Sequence, residues 1–485
     1  MFSLFSRKKK VVHERLPLNL YNTLTQEKST FTPLKDDAVR MYSCGPTVYD
    51  YVHIGNHRSY IFADILKRTL QYNGYSVLHT MNLTDFGHLT SDADSGEDKM
   101  TKGLKREGKP ITIEAMRELA DTYIEAFMDD LDELGIVHAT KYTRASDYVK
   151  EQIALIKTLA DKGYTYETSD GVYFDISKFP EYGKLGNVDI EKLKDGARIE
   201  VNEEKRHPAD FALWKKGLLG WESAWGKGFP GWHIECTAMS FATLGKQIDI
   251  HTGGEDLKYT HHNGEIAQAE AATGKCPYVQ YWMHNAFISI DGAKISKSLG
   301  NGISLKQIKD RGYSALVFRY WILGGHYRTQ MNFTFEALDS AKQALFRIKR
   351  YLFEDYKNAK GSVDSAYQQR FQEAINDDLD TPKALAILWE LIKDNSISDG
   401  DKAATLRDMD TVLGIGLNDK PDEVIRELGI LSPEDIPDDV QALIEERQAA
   451  RVAQNWDEAD RLREAINLKG YSLEDSPDGP KVTKE

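Results

Sequence analysis

The chain has 485 residues, of which 41% are hydrophobic, and its 62 basic and 76 acidic residues give a net charge of −14; this length predicts three or four domains of ~100–200 residues. No run of residues approaches the ~20 apolar positions of a transmembrane helix. The N-terminus lacks the order of a secretory signal, in which basic residues precede apolar ones. The excess of acidic residues gives no general indication of nucleic-acid binding. The three cysteines lie far apart, which suits a reducing compartment, and we expect a cytoplasmic protein that does not bind membranes.

The first predicted elements form a βαβ unit. Val39 and Met41 alternate with polar residues as in a strand, and apolar residues after Gly55 fall at helical spacing as far as Gly74. Residues 75–81 then read as a second strand. A helix that begins directly after a strand offers free N–H groups to an anion, so this junction predicts a nucleotide site. On these residues alone, a packing role for Gly55 is an equal alternative.

The next segments predict a surface loop, two helices and a small insert. Residues 92–98 form an acidic loop, and residues 113–134 and 148–159 show helical periodicity. Between 164 and 201 the pattern changes to short β-like runs with glycine and proline between them. This change predicts a small domain inserted into the parallel sheet, ending near residue 208.

The following segments bring candidate metal ligands onto regular elements. A turn rich in glycine precedes a predicted helix at 233–244, which carries Cys236. A short strand at 247–251 precedes another helix, on which His261 and Glu265 are four residues apart and share a face. The spacing of the cysteines matches no zinc motif, and by itself it favours cysteines that are buried as small hydrophobic residues. The histidine–glutamate pair is as typical of an ordinary helix surface as of a metal site.

The last third of the chain predicts helices. A polar loop bounded by glycine, Lys294–Asn301, precedes this part, and helical periodicity continues from Phe335 onward, which predicts a bundle. Thr381 is predicted to be the N-cap of one helix, with Pro382 at its first position. Residues 440–468 predict one or two further helices before a tail rich in turns.

Six segments resemble, in order, the signature segments of the cysteinyl-tRNA synthetase family, and the resemblance extends from Tyr42 to about Gly479. The segments are Cys44–Asn56, Met81–Asp85, Gly231–Cys236, Asp249–Leu257, His261–Gln268 and Lys294–Asn301. The resemblance implies an α/β fold, in which a Rossmann-like class I catalytic domain contains a small α+β connective insert and precedes a helical bundle and a small anticodon-end domain. The implied bounds are 1–140 and 209–285 for the catalytic halves, 141–208 for the insert, 286–334 for the lysine loop and stem-contact region, 335–430 for the bundle and 431–485 for the C-terminal domain.

The resemblance also implies the functional residues. It implies one zinc ion, held by Cys44, Cys236, His261 and Glu265. It implies an ATP site, with Mg²⁺, formed by His53, Gly55, Asn56, Gly254, Asp256, Lys294 and Lys297. Thr47 and Trp232 are expected to shape the amino-acid pocket, and tRNA contacts are expected at Arg447, Arg451, Arg461 and Arg463. These arginines are equally typical of helix residues that pair with neighbouring carboxylates.

The implied activity is the ATP-dependent joining of cysteine to its tRNA, tRNA(Cys), by a monomer. The bound zinc would distinguish the substrate's thiol from the hydroxyl of serine. One alternative is a ligase that joins cysteine to an amino sugar, and another is a catalytically silent RNA-binding relative. The segment from Ile444 to Gly479 argues against the first alternative, and the retained ligands and lysines argue against the second.

The chain departs mildly from the commoner family pattern. Tyr259-Thr260 stands where Phe-Pro is usual, and Asn263-Gly264 stands where Glu-Asn is usual, so the start of that helix is in question. Ile295 replaces the commoner Met, an apolar exchange of little expected consequence. The longer acidic loop at 92–98 puts the local conformation in question, and Cys276 is expected to be a packing residue.

Overall fold

The structure is a computed structural model that describes residues 16–86, 98–188, 203–295, 302–356, 359–431, 433–476 and 479–484. Its strands are β1 (Asn19–Asn22), β2 (Glu27–Thr30), β3 (Val39–Ser43), β4 (Val77–Leu83), β5 (Lys141–Arg144), β6 (Thr165–Glu167), β7 (Gly171–Phe174), β8 (Phe211–Trp221), β9 (Gly228–Pro230), β10 (Ile248–Gly254), β11 (Val279–Asn285), β12 (Ile288–Ile290), β13 (Ala293–Lys294), β14 (Met331–Phe333), β15 (Tyr471–Ser476) and β16 (Gly479–Lys484).

The helices fall into a catalytic group and a C-terminal group. The first group is α1 (Ile54–Tyr72), α2 (Lys99–Arg106), α3 (Ile113–Glu133), α4 (Val149–Asp161), α5 (Trp232–Thr243), α6 (His261–Thr273), α7 (Leu305–Lys309) and α8 (Ala315–Leu323). The second group is α9 (Phe335–Arg350), α10 (Ser365–Asn376), α11 (Thr381–Lys393), α12 (Asp399–Leu413), α13 (Pro421–Glu427), α14 (Asp438–Val452) and α15 (Trp456–Leu468). The helices predicted at 113–134 and 148–159 are therefore present as α3 and α4.

The central sheet has five strands in the order β11-β10-β3-β4-β5, and each neighbouring pair is parallel. The predicted βαβ unit is β3-α1-β4, and the side chains of Val39 and Met41 are buried in it. Because all five strands run in the same direction, their carboxyl ends meet at one edge of the sheet. The candidate residues that follow β3, β4 and β10 are thereby brought together.

The predicted insert contains an antiparallel sheet in the order β6-β7-β8-β9. This sheet extends beyond residue 208, where we expected the insert to end, because Phe211 of β8 pairs with Phe174 of β7. The sequence pattern could not reveal this pairing, since β8 is separated from β7 by more than 30 residues. The bounds of the six predicted domains stay predictions.

A small sheet follows the parallel one and carries the start of the lysine loop. In this sheet β12 pairs with β13 and with β14, and β13 contains the backbone of Lys294. Two hairpins, β1-β2 and β15-β16, complete the strands of the described residues. The C-terminal hairpin packs with α14 and α15 around a separate small core, formed by Val440, Ile444, Ile466, Leu473 and Val482.

The helix α11 begins differently from its prediction. The carboxylate of Asp380 accepts a hydrogen bond from the backbone N–H of Lys383 at 3.1 Å, so Asp380 is the N-cap. Thr381 is the first helical residue, and the prediction that it caps the helix was wrong. An aspartate one residue earlier outcompetes threonine here because its carboxylate reaches the free N–H groups of the first turn.

Among the described residues, no helix combines the length and apolar character needed to cross a membrane.

Candidate metal and nucleotide site

Four of the predicted residues form one buried cluster at the carboxyl edge of the central sheet. Cys44 follows β3, Cys236 lies in α5, and His261 and Glu265 lie one turn apart on α6. One ligand atom from each of them lies within 4.8 Å of the others. The backbone N–H of Cys44 donates to the carbonyl of Thr252 on β10 at 3.1 Å, which fixes this cysteine beside the next strand. The structure thus brings together residues that are up to 221 positions apart in the sequence.

A second donor set overlaps the first. His251 and His262 share Cys44 and Glu265 with the first set, and these four ligand atoms also lie within 4.8 Å of one another. The Nε2 atom of His262 is 3.4 Å from the sulfur of Cys44, and the Nε2 atom of His251 is 3.0 Å from Oε2 of Glu265. Sequence reasoning proposed neither His251 nor His262 as a ligand.

The chemistry of these donors fits a zinc ion. Burial raises the pKa of Cys236 and of Glu265, so their charged forms need a nearby cation. Oε1 of Glu265 is buried and lies 3.2 Å from Nε2 of His261, but it accepts no hydrogen bond of adequate geometry. Thiolate, imidazole and carboxylate together are a donor set that zinc prefers.

Neighbouring aromatic side chains orient the imidazole of His261. The ring of Trp232 stacks on it with centroids 4.4 Å apart, and Nδ1 of His233 lies 3.0 Å from its Nδ1 atom. Contacts of this kind around a ligating histidine fix its ring orientation. Trp232 therefore adjoins the cluster, as expected of a pocket residue, although a direct contact with an amino acid stays a prediction.

A chain of hydrogen bonds links the backbone beside the two cysteines, and sequence reasoning missed it. The N–H of Gly45 donates to Oδ1 of Asn82 at 2.8 Å, and Nδ2 of Asn82 donates to the hydroxyl of Thr84 at 3.1 Å. The hydroxyl of Thr84 in turn donates to Oε1 of Glu235 at 2.7 Å. Thr47, a predicted pocket residue, also pairs with Thr84 in an isolated β-bridge. The only sequence signal was the resemblance of Met81–Asp85, to which no role had been assigned.

The start of α1 lies against the two ends of the lysine loop. The N–H of Ile54 donates to the carbonyl of Ile303 at 2.8 Å, and a Cβ atom at Gly55 would lie 3.0 Å from the ring of His53 and 3.1 Å from Ile295. This close packing favours a glycine whether or not a nucleotide binds here, so the nucleotide role of Gly55 stays a prediction. Burial lowers the pKa of His53 to about 4, so its imidazole is neutral at pH 7. Asn56 is exposed beside it.

The remaining predicted nucleotide residues lie near the end of β10 or in the lysine loop. Gly254 ends β10, and a Cβ atom there would lie 2.5 Å from the carboxylate of Asp256, so a side chain at this position would displace that carboxylate. The backbone of Lys294 lies in β13, whereas its side chain and all of Lys297 lie outside the described residues. Most of the acidic loop at 92–98 also lies outside them.

The departures on α6 have a structural explanation. The helix begins at His261, so the proposed ligands keep their one-turn spacing. The side chain of Asn263 accepts from the N–H of Leu185 at 3.1 Å and donates to its carbonyl at 3.0 Å. This residue therefore ties α6 to the segment after β7. Cys276 is exposed, so the prediction that it is a packing residue was wrong.

The four C-terminal arginines do not form an open basic face. Arg447 is 3% exposed and makes two hydrogen bonds to the carboxylate of Asp475, at 2.8 and 2.9 Å, and Arg451 binds the same carboxylate. Arg461 pairs with a glutamate of its own helix, and Arg463 donates to a backbone carbonyl. Arg447 is thus used inside the domain, and tRNA contacts by the other three stay predictions.

Comparisons with known proteins agree on one family. Residues 30–343 match the family model described as "tRNA synthetases class I (C) catalytic domain", residues 370–418 match the DALR domain, and residues 434–480 match the "Cysteinyl-tRNA ligase anticodon binding domain". The chain is 44% identical over 475 residues to cysteine–tRNA ligase 1 of Burkholderia lata, covering 96% of this chain and 97% of that protein. It is 42% identical over 490 residues to cysteine–tRNA ligase of Treponema denticola, covering 95% and 98%.

Solved structures share the fold. Methionyl-tRNA synthetase of Mycobacterium tuberculosis, in complex with methionyl-adenylate, matches with a TM-score of 0.55 at 14% identity. The match covers 82% of this chain and 95% of the solved chain. This likeness supports the α/β class I synthetase architecture predicted from the sequence.

Proposed function

This chain belongs to the cysteine–tRNA ligase family of class I synthetases, and from that premise we propose that it activates cysteine with ATP and transfers the cysteinyl group to the 3′ end of its tRNA. The observation that carries the proposal is the buried cluster of thiols, imidazole and carboxylate at the carboxyl edge of the sheet, beside the start of α1. One βα junction, from Cys44 to Asn56, then adjoins both the amino acid and the nucleotide.

The reaction needs positioning and charge stabilisation, and no side-chain nucleophile. The carboxylate of cysteine attacks the α-phosphorus of ATP, an acyl phosphate bond forms, and pyrophosphate leaves. A ribose hydroxyl of the tRNA then attacks the acyl carbon and AMP leaves. His53 and Asn56 at the start of α1, with Gly55 between them, would bind the triphosphate, and Lys294 and Lys297 would stabilise the charge that develops on pyrophosphate, aided by Mg²⁺. Gly254 and Asp256 would adjoin the adenosine.

The metal ligands would be Cys44, Cys236, His261 and Glu265. A zinc ion held by these four residues would supply a Lewis acid for the thiol of the substrate. The hydroxyl of serine is a poor ligand by comparison, so the site would discriminate between the two amino acids where an apolar pocket could not. Thr47 and Trp232 would bound the rest of the pocket.

The partners would be cysteine, ATP and tRNA(Cys), bound by a cytoplasmic monomer. The match of residues 434–480 to an anticodon-binding model supports tRNA as the acceptor and argues against an amino sugar.

The test is cysteine-dependent exchange of pyrophosphate into ATP by zinc-replete protein. We expect exchange with cysteine and a rate lower by at least about a hundredfold with serine at equal concentration, since the selection depends on a polar contact. Absence of exchange with cysteine would overturn the synthetase proposal. Charging of tRNA(Cys) tests the second step, and exchange without charging would indicate another acceptor.

A further inference from the structure

The segment from 302 to 350 is strongly basic in an acidic protein. It contains nine Lys and Arg residues and three Asp and Glu residues, whereas the whole chain carries −14. A local excess of positive charge of this kind is the electrostatic feature that a polyanion requires. The question is which of the nine cations are available.

Six of the nine are engaged by carboxylates. These pairs are Lys306–Asp310, Lys309–Glu133, Arg319–Asp64, Arg328–Asp378, Lys349–Glu427 and Arg350–Glu474. The pairs of Arg319 and Lys349 are buried and join different elements, so their role is structural. The remaining three are Arg311, Lys342 and Arg347, which we call the α9 basic face.

All three members of the α9 basic face contact neutral groups. The ammonium of Lys342 donates to the carbonyl of Gly312 at 3.1 Å and lies 5.4 Å from the ring centre of Tyr313. The guanidinium of Arg311 lies 3.9 Å from the ring centre of Phe335. Rings and carbonyls hold a cation in place and leave its net charge uncompensated.

Arg347 is held in the same way. It is exposed, lies 5.7 Å from the ring centres of both Tyr351 and Trp389, and donates to the hydroxyl of Tyr351 at 3.3 Å. Within the described chain, no carboxylate forms an ion pair with Arg311, Lys342 or Arg347. The C-terminal arginines differ in this respect, because Asp475 already neutralises Arg447 and Arg451.

Two of these cations, Lys342 and Arg347, line a cleft between the bundle and the C-terminal hairpin. The cleft has a volume of about 640 Å³, and its lining includes Lys342, Phe346, Arg347, Arg350 and Tyr351. Two acidic residues also line it, but both have partners: Glu474 pairs with Arg350 at 2.8 Å, and Asp339 accepts from the hydroxyl of Tyr313 at 2.7 Å. From Lys342 to Arg347 the helix rises about 7.5 Å, so the two cations are spaced along the helix rather than gathered at one point.

We propose that the α9 basic face binds the phosphate backbone of the tRNA, between the catalytic domain and the C-terminal domain. The inference rests on the proposed function, which supplies the RNA. Guanidinium groups that lie over aromatic rings can still donate two hydrogen bonds to a phosphate, which provides the missing negative charge. Contacts of this kind position an RNA without reading its bases.

The test uses the full-length double variant Lys342→Gln/Arg347→Gln. We expect the Kd for tRNA(Cys), measured by fluorescence anisotropy, to rise about tenfold at ~100 mM salt, and the slope of log K against log salt between ~50 and ~200 mM to fall by roughly 1 to 2. Binding of a non-cognate tRNA should weaken by the same factor. Pyrophosphate exchange, which needs no tRNA, should stay unchanged.

Arg370→Gln is the matched control. Arg370 is an exposed bundle arginine that also lies over an aromatic ring, Tyr367 at 5.1 Å, but its charge is neutralised by Glu390. Its loss should change neither the Kd nor the salt slope. Arg347→Lys, which retains the charge, should restore part of the affinity in the Lys342→Gln background.

The outcomes separate the two proposals. Unchanged affinity and salt slope in the double variant would overturn the proposal that the α9 basic face binds tRNA, whatever the exchange activity. Failure of wild-type exchange, with tRNA binding still weakened by the variant, would overturn the proposed reaction and support tRNA binding by the α9 basic face. If the double variant lost exchange through misfolding, Arg311→Gln, which removes the guanidinium over the ring of Phe335, would decide by the same two readouts.

Discussion

At the scale of single residues, the two overlapping donor sets make opposite predictions. Cys236 belongs only to the set with His261, and His251 belongs only to the set with His262. If the first set holds zinc, Cys236→Ser removes a direct ligand. We then expect the zinc content to fall from one per chain toward zero, and the KM for cysteine to rise by more than the 10- to 100-fold in affinity that an outer contact is worth. Metal analysis and exchange kinetics measure the two effects.

Two further variants complete this comparison. His251→Gln should retain one zinc per chain, and Cys276→Ser should behave as wild type because its thiol is exposed and belongs to neither set. Loss of zinc in His251→Gln with retention in Cys236→Ser would assign the metal to the second set instead.

Sequence reasoning located the clustered residues but not the contacts that set their positions. The segment resemblance identified Cys44, Cys236, His261 and Glu265, and the fold brings all four together. Asn82 and Thr84 escaped notice because their hydrogen bonds connect strands and helices far apart in sequence. Arg447 was a candidate tRNA contact. Only the structure reveals that its guanidinium pairs with the carboxylate of Asp475, since the two residues are 28 positions apart in the sequence.

At the scale of elements, the turn between α10 and α11 joins three parts of the chain. Asp378 has a φ of +59° and is 2% exposed. Its carboxylate accepts from the N–H of Tyr21 at 2.9 Å, the hydroxyl of Tyr327 at 2.7 Å and the guanidinium of Arg328 at 2.8 Å. Periodicity predicted the flanking helices, but a turn held by a strand more than 350 residues earlier has no local signal.

Asp378→Asn tests this turn. Asparagine tolerates positive φ as well as aspartate does, so the change removes mainly the charge and one acceptor. We expect about 2 kcal/mol of local stability to be lost, seen as faster amide hydrogen exchange in β1 and β2. Asp377→Asn is the control, because Asp377 forms only an exposed pair with Lys28 and should cost less than about 1 kcal/mol. Equal effects of the two variants would contradict the role of Asp378.

At the scale of the whole molecule, the C-terminal unit has its own small core and its own ion pairs, from Arg447 and Arg451 to Asp475. The hydrogen bonds from Arg447, together with the nearby charge of Arg451, hold the pKa of Asp475 at about 2, below its usual value of ~3.9. These ion pairs join the hairpin β15-β16 to α14 and involve no residue of the catalytic domain. The acid stability of the two parts of the molecule should therefore differ.

The pH dependence of the stability follows from the lowered pKa of Asp475. Because the folded pKa lies below the unfolded one, the ionised carboxylate stabilises the folded unit above about pH 4, and this contribution disappears as the pH falls from about 4 to about 2. Asp475→Asn should therefore speed amide exchange in β15 and β16 relative to wild type at pH 6, and the difference should shrink steadily below pH 4. Pyrophosphate exchange at neutral pH should not change.

Asp439→Asn is the control for this prediction, since the pair of Asp439 with Lys469 is exposed on both sides and contributes little. A difference between wild type and Asp475→Asn that persisted undiminished at pH 2 would show that the asparagine acts by altering packing. A difference that vanished with the charge would assign the docking of the hairpin to the Arg447–Asp475 pair. Two arginines first considered as RNA ligands would then hold the C-terminal domain together, and the RNA would depend on the uncompensated cations of α9.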